Sequence, residues 1–124
     1  MLIAAFLAGA LSTPMKFDLV CTGQNAFVGF PDQKPIPFEE RFSIDMVAGL
    51  YSDSDHVAAT KIAKVDEQLV WLVWTSTPKV SQYVAVSRFD GNISGETDYR
   101  DGHKVELRAT CRFEPFSAWD HRQF

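Results

Sequence analysis

The chain has 124 residues, 46% of them hydrophobic and 23% charged, with ten Phe, three Trp and three Tyr. That composition describes one globular domain with a single core, not a disordered chain. The formal net charge is −4, and Lys and Arg are scattered, so the concentrated positive charge that a phosphate backbone requires is missing and nucleic-acid binding is disfavoured.

Residues 1–14 open with an apolar run, Leu2 to Leu11. It has the length of a signal-peptide core and falls well short of the roughly 20 residues that span a bilayer. Ala8-Gly9-Ala10 places small residues where a signal peptidase cuts, and Ser12-Thr13-Pro14 breaks a helix just beyond. The α-amino group is the sole positive charge ahead of the run. The expectation is an exported, periplasmic or extracellular domain over residues 15–124, with no stable transmembrane span after cleavage. A membrane-tethering N-terminus, or a natural start at Met15 with an unrelated stretch upstream, is the alternative. No Cys follows the small residues, which argues against a lipoprotein.

From Lys16 to Thr22 the pattern has period two, with Phe17, Leu19 and Cys21 on one face and Lys16, Asp18 and Thr22 on the other, as in a strand with one wet side. Asn25 to Pro37 contains Gly29, Pro31, Pro35 and Pro37 and reads as a mobile surface loop. Phe38 to Val47 reads as a strand with Phe38, Phe42, Ile44 and Met46 inward. Glu40 shares that inner face. Ala48-Gly49 turns it into Leu50-Tyr51.

His56 to Val65 is ambiguous: Ala58, Ile62, Val65 and Leu69 form a helical stripe, while Asp66-Glu67-Gln68 looks like a hairpin connection, which favours a strand ending at Val65. Leu69 to Thr75 and Val80 to Phe89 are two further strands, followed by an Asp90-Gly91-Asn92 hairpin turn. Glu96 to Arg100 is a short strand, and Asp101-Gly102 turns it into the last one. There Val105, Leu107, Ala109, Cys111 and Phe113 alternate with Lys104, Glu106, Arg108, Thr110 and Arg112. The tail Pro115 to Phe124 carries three aromatics and is expected to pack back on the domain, plugging an end or forming a short helix.

Successive hairpins give an all-β fold: an antiparallel meander closing into a small barrel or a sandwich, its first and last strands adjacent. Cys21 and Cys111 both lie on core faces, so in neighbouring strands they come within disulfide reach. Two independent buried thiols are the alternative.

Phe17-Asp18-Leu19-Val20-Cys21-Thr22-Gly23, Phe42-Ser43-Ile44-Asp45, Asp90-Gly91, and the last-strand Cys111 followed by Phe113 and Phe116-Ser117 resemble segments of small uncharacterised exported proteins of sphingomonad-type α-proteobacteria. The resemblance implies an exported β domain and carries no activity. Some such proteins hold a further Cys pair after the Phe-x-Ile-Asp strand, where this chain has Tyr51 to His56 and none. Asn92-Ile93-Ser94 fits a glycosylation sequon, which has no meaning in a bacterial chain of that kind.

The chemistry that enzymes need is thinly represented. Asp53, Asp55 and His56 lie close together, but counting from Asp53 the calcium-loop Gly and Glu positions hold Ala58 and Lys64, so a solvated turn is the better reading. His103 and His121 lack ligand spacing, and Gly91-Asn92-Ile93-Ser94-Gly95 is no nucleophile elbow. Catalytic, metal and cofactor sites are therefore not expected. Glu40, inward on its strand, marks a candidate pocket; a register break or an Arg partner is the plainer reading. Val70-Trp71-Leu72-Val73-Trp74 is apolar throughout, placing Trp71 and Trp74 on opposite faces of a regular strand. Both faces then need cover, from the tail, a second copy of the chain or a small apolar ligand. Two binding functions follow. The first is a partner interaction, homodimeric or with an envelope protein, through Phe27 and Phe30 of the Pro-rich loop or the Trp71 and Trp74 face. The second is a lipocalin-like cavity lined from Phe42, Trp71, Val84 and Leu107.

Overall fold

The computed structural model describes residues 15–54 and 59–117. Its strands are β1 (Lys16–Val28), β2 (Ile36–Asp45), β3 (Leu50–Asp53), β4 (Thr60–Lys61), β5 (Lys64–Val65), β6 (Leu69–Ser76), β7 (Ser81–Ser87), β8 (Ile93–Asp98) and β9 (Lys104–Glu114), and no described residue is helical. All are antiparallel neighbours in one sheet, ordered β4-β3-β2-β1-β9-β8-β7-β6-β5, and the sheet curls into a half-barrel. The all-β reading holds, and so does the adjacency of the first and last strands.

Two meanders, β1–β4 and β5–β9, meet along one long seam. There β1 pairs with β9 from Asp18 opposite Glu114 to Val28 opposite Lys104. The far edges are consecutive in the chain: only Ile62 and Ala63 separate β4 from β5. The Ile62 N–H donates to the Gly49 carbonyl and the Ala63 N–H to the Trp71 carbonyl, each at 2.8 Å. Consecutive Cα atoms lie about 3.8 Å apart, so two residues carry the chain from one edge to the other and draw the sheet round on itself. Ile62 is buried at this join.

The inner face is set by the strand period. Phe17, Leu19 and Cys21 of β1, Phe42 and Ile44 of β2, Tyr51 of β3, Val70 and Leu72 of β6, Val86 of β7, Ile93 of β8, and Ala109 and Cys111 of β9 form one buried cluster. Asp66 Oδ1 accepts from the Gln68 and Leu69 N–H groups at 2.9 and 2.8 Å, making the expected turn into β6. Gly91, with φ of 76°, makes the β7–β8 turn; a Cβ there would lie 3.0 Å from Leu19 Cδ2, so the turn needs glycine for both conformation and space.

Two expectations are corrected, for Asn25 to Pro37 and for the Trp71 and Trp74 faces. Asn25 to Pro37 is not one loop: β1 runs on to Val28 because β9 offers partners as far as Lys104, and β2 begins at Ile36, leaving only 29–35 as the connection. The ambiguous stretch is extended where described, as β4 and β5, while residues 55–58 lie outside the described residues. Trp71 and Trp74 share a face, because a bulge between Trp71 and Val73 adds a residue at Leu72 and resets the alternation. Of the tail, Pro115 to Ser117 packs back on the outer face of β1; residues 118–124, with Trp119 and His121, lie outside the described residues.

Candidate functional site

Cys21 and Cys111 face each other directly across the seam, with Cα atoms 4.0 Å apart, and are disulfide-bonded. The Cys111 N–H turns away from β1 and donates to Asn92 Oδ1 at 3.0 Å. The pair therefore occupies the close, non-hydrogen-bonded position of the ladder, where a cross-strand disulfide fits. Both residues are buried in the core cluster. The bond is a staple between the two meanders.

Outside the seam, Asp18 takes an unexpected place. It points outward as the alternation requires, yet it is fully buried. Arg41 Nε donates to its Oδ2 at 2.7 Å, the Ser117 N–H donates to Oδ1 at 3.2 Å, and the Ser117 hydroxyl also donates to Oδ2. Burial works to raise its pKa, but the bonds from Ser117, Ser43 and Arg41 together hold it below the ordinary value. Arg41 also pairs with Glu114 at 3.1 Å. Asp18, Ser43 and Ser52 stand in register across β1, β2 and β3, making a buried polar row on the outer face. The row fastens the tail and is structural. The sequence pattern hides it, because an outward Asp on an amphipathic strand reads as solvated.

Two aromatic groups face solvent. The first is at the end of the sheet where β1 stops. Phe27 and Phe30 meet edge-to-face at 5.8 Å between ring centroids, and Phe30 lies 4.7 Å from the His103 ring. With Tyr99, Asp101 and Val105 they line an open groove of about 400 Å³. His103 is fixed by Asp101, whose Oδ1 accepts from its backbone N–H and lies 3.0 Å from its Nδ1. The hydrogen bonds from His103 hold the Asp101 carboxyl below its ordinary range. The fold thus brings Phe27 and Phe30 together and adds Tyr99, expected in the short strand Glu96 to Arg100, and His103, expected only in the turn that follows it.

The second group is the outer face of β6 and β7. Trp71 and Trp74 stand 6.1 Å apart and Tyr83 lies 5.8 Å from Trp71. Lys64 Nζ sits 3.9 Å from the Trp74 centroid and 5.0 Å from that of Trp71, a cation–π contact that covers much of the platform. Trp71 Nε1 donates to Asp66 Oδ2 at 3.1 Å. The lysine and the neighbouring tyrosine cover this face only in part, and Trp74 stays 57% exposed.

Inside the curl, beyond the disulfide, a cavity of about 270 Å³ is lined by Phe38, Glu40, Phe42, Tyr51, Asp53, Leu72, Val73, Val84 and Leu107. Of the four cavity residues expected, Phe42, Val84 and Leu107 line it; Trp71 is outside for the reason given above. Glu40 is on the inner face with no register break and no described Arg partner: its Oε1 accepts from the Arg41 N–H at 3.0 Å, the Ser54 N–H at 2.9 Å and the Ser54 hydroxyl. Asp53 and Tyr51 were missed. Their alternation in Leu50-Tyr51-Ser52-Asp53 places them on one face, and that signal was present in the sequence.

Among the described residues no three His, Cys, Asp or Glu side chains are grouped so as to hold a metal ion; Asp55 and His56 lie outside them. Compared with protein-family models, curated proteins and solved structures, the chain finds no match.

Proposed function

We propose that the chain is an exported, non-catalytic binding domain that engages a protein partner through the aromatic end formed by Phe27, Phe30, Tyr99 and His103. The groove between these rings carries the reading. Aromatic side chains that present a large apolar surface and a polar tip to solvent are characteristic of the centres of protein interfaces. Its lining holds no Ser or Cys that the Asp101–His103 pair could activate, so the pair serves as a hydrogen-bonded rim. The inner cavity is smaller, and it falls below the roughly 300–1,000 Å³ of typical small-molecule sites, which favours the partner over a lipocalin-like role. Export is supported by the Leu2 to Leu11 run and by a disulfide that would not persist in a reducing compartment. No helix among the described residues is long and apolar enough to cross a membrane.

The test is a photo-crosslinking amino acid at Phe30, with one at the exposed turn residue Lys79 as control, in the native host. Discrete adducts at Phe30 and none at Lys79 support the reading. Their mass separates an envelope partner from a second copy of this chain. Absence of adducts at Phe30, or the same adducts at both positions, overturns it.

A further inference from the structure

The outer face carries a polar hollow, apart from both the aromatic end and the inner cavity. Thr22 and Thr110 alternate with the buried Cys21 and Cys111, and Leu69 and Ser87 with the buried Val70 and Val86, so these side chains face outward. With Ser94 and Arg108 they border a space of about 410 Å³, within the roughly 300–1,000 Å³ of ligand sites.

Its chemistry suits a neutral polyol. Seven of the eleven lining residues have polar side chains, four of them hydroxyls, and a single carboxylate, Asp90, offsets a single cation, Arg108. A hollow without net charge selects neither a phosphate nor a metal ion. Hydroxyls, an amide and a guanidinium instead set donors and acceptors side by side, as a sugar does. The Cys111 N–H donates to Asn92 Oδ1 at 3.0 Å, which fixes the amide and leaves its Nδ2 without a described acceptor. The hydroxyls of Thr22, Ser94 and Thr110 and the guanidinium of Arg108 likewise meet no described partner.

A second, independent observation is the aromatic platform, which continues this hollow. Along β6 the outward residues run Leu69, Trp71, Trp74. Across the sheet Trp71 stands opposite Ala85, Ala85 opposite Ser94, and Ser94 opposite Arg108. Only the small Ala85 and Ser94 lie between indole and guanidinium, so platform and hollow form one trough. The Trp71 and Trp74 planes differ by 37°, and Trp74 is 57% exposed. An indole face is electron-rich, and the C–H bonds of a pyranose, polarised by its oxygens, pack against it as the Lys64 ammonium does at 3.9 Å. Lys64 is exposed on the two-residue strand β5 and yields that face at little cost.

A β-1,4-linked sugar chain is a flat ribbon with C–H bonds on its broad faces and hydroxyls along its edges. That shape matches a pair of indoles beside a polar hollow. We propose that the trough binds a neutral β-1,4-linked oligosaccharide, one pyranose against Trp71 and Trp74 and a neighbouring one reaching Asn92 and Arg108 with its hydroxyls.

The experiment titrates the oxidised protein with the β-1,4-linked tetrasaccharides of glucose and of N-acetylglucosamine, and with tetragalacturonate as an acidic control, followed by calorimetry and amide chemical shifts. At least one neutral probe is expected to bind tenfold more tightly than the acidic one and to shift amides of β6 to β9 that border the trough. Trp74→Ala, at an exposed position, should fold and weaken that binding at least tenfold. Asn92→Asp keeps the Oδ1 acceptor for Cys111, loses the Nδ2 donors and should weaken it about as much; should that variant fail to fold, Arg108→Ala carries the same expectation. Val47→Ala, exposed in the β2–β3 turn, should bind as the native chain does. No binding of either neutral probe, acidic binding as tight as neutral, shifts gathered away from the trough, or full affinity in Trp74→Ala would each overturn the proposal. None of these results bears on crosslinking at Phe30, so the two readings fail separately.

Discussion

Breaking the Cys21–Cys111 bond is the perturbation whose size follows most directly from the topology. The bond closes a loop with a sequence separation of 90 residues. In the chain-entropy treatment a loop of that length removes about 15 cal/mol/K from the unfolded chain, or about 4.6 kcal/mol at 25 °C. Against a total stability of about 5–15 kcal/mol this is a large share. Its location adds to the effect, because β1 against β9 is the long seam by which the two meanders hold each other. At about 4–8 °C per kcal/mol, the melting temperature should fall by roughly 20 °C or more. The assay compares thermal melts of oxidised protein, of protein reduced under mild denaturant and refolded with reductant present, and of the Cys21→Ala/Cys111→Ala double variant. Reduction keeps both sulfur atoms in the core, so it isolates the cross-link from the loss of packing. If the reduced protein melts within about 5 °C of the oxidised one, the staple argument fails, since that corresponds to about 1 kcal/mol or less.

Asp18 should make stability acid-sensitive in a defined direction. Its folded pKa is depressed, so its contribution is fully present above the unfolded value of about 3.9 and is lost as pH falls through the lower folded value. Urea midpoints of the native protein should therefore drop faster between about pH 5 and pH 2 than those of Asp18→Asn. At neutral pH that variant should lose about 2–4 kcal/mol, because the Arg41 charge loses its partner and one of the two acceptor oxygens becomes an N–H2 facing the donors of Arg41 or Ser117. Gly91→Ala should cost about 1–2 kcal/mol in urea unfolding, from a positive φ and a Cβ forced against Leu19. Ser52 Oγ is buried without a described partner, so Ser52→Ala should be neutral or stabilising by up to about 1 kcal/mol. Ser43→Ala, which removes a hydrogen bond to Asp18, should destabilise in the same melt.

Legibility in the sequence depended on how local the cause was. β9 and the first half of β1 were plain because alternation on an exposed sheet is a period-two signal carried within each strand. The Asp66, Asp90 and Gly91 turns were plain for the same reason: Asx side chains and positive φ are local chemistry. Asn25 to Val28 was misread because Gly29 and three prolines dominated the window, whereas what keeps β1 extended is the length of β9, over 75 residues away in the chain. Trp74 was misplaced because one added residue at Leu72 inverts every side chain beyond it, and no pattern inside β6 announces a bulge. Asp18 was misread because its burial comes from Ser117, at a separation of 99 residues. The cavity was half legible: Glu40 stood out as a charge on an apolar face, but Tyr51 and Asp53, which border the cavity with it, come from β3.

The two ends of the curl differ for a reason written along the inner positions of β1 and β8, which flank β9. On β1 the inward residues run Phe17, Leu19, Cys21, then Gly23; on β8 they run Ile93, then Gly95. Large side chains and the disulfide fill one end, and past the disulfide the wall thins to glycine. Those glycines are required by close backbone approach: a Cβ on Gly23 would lie 1.9 Å from the Arg108 carbonyl oxygen, and one on Gly95 2.9 Å from that of Tyr83. The tight curl that needs them also leaves the space that Glu40, Tyr51 and Asp53 border. The packed end and the open end are thereby separated along the axis of one small sheet. The packed end and its staple hold the fold, so Phe38, Glu40 and Asp53, only partly buried beyond the disulfide, can change with little loss of stability, whereas Leu19 and Ile44, fully buried on the other side of it, cannot.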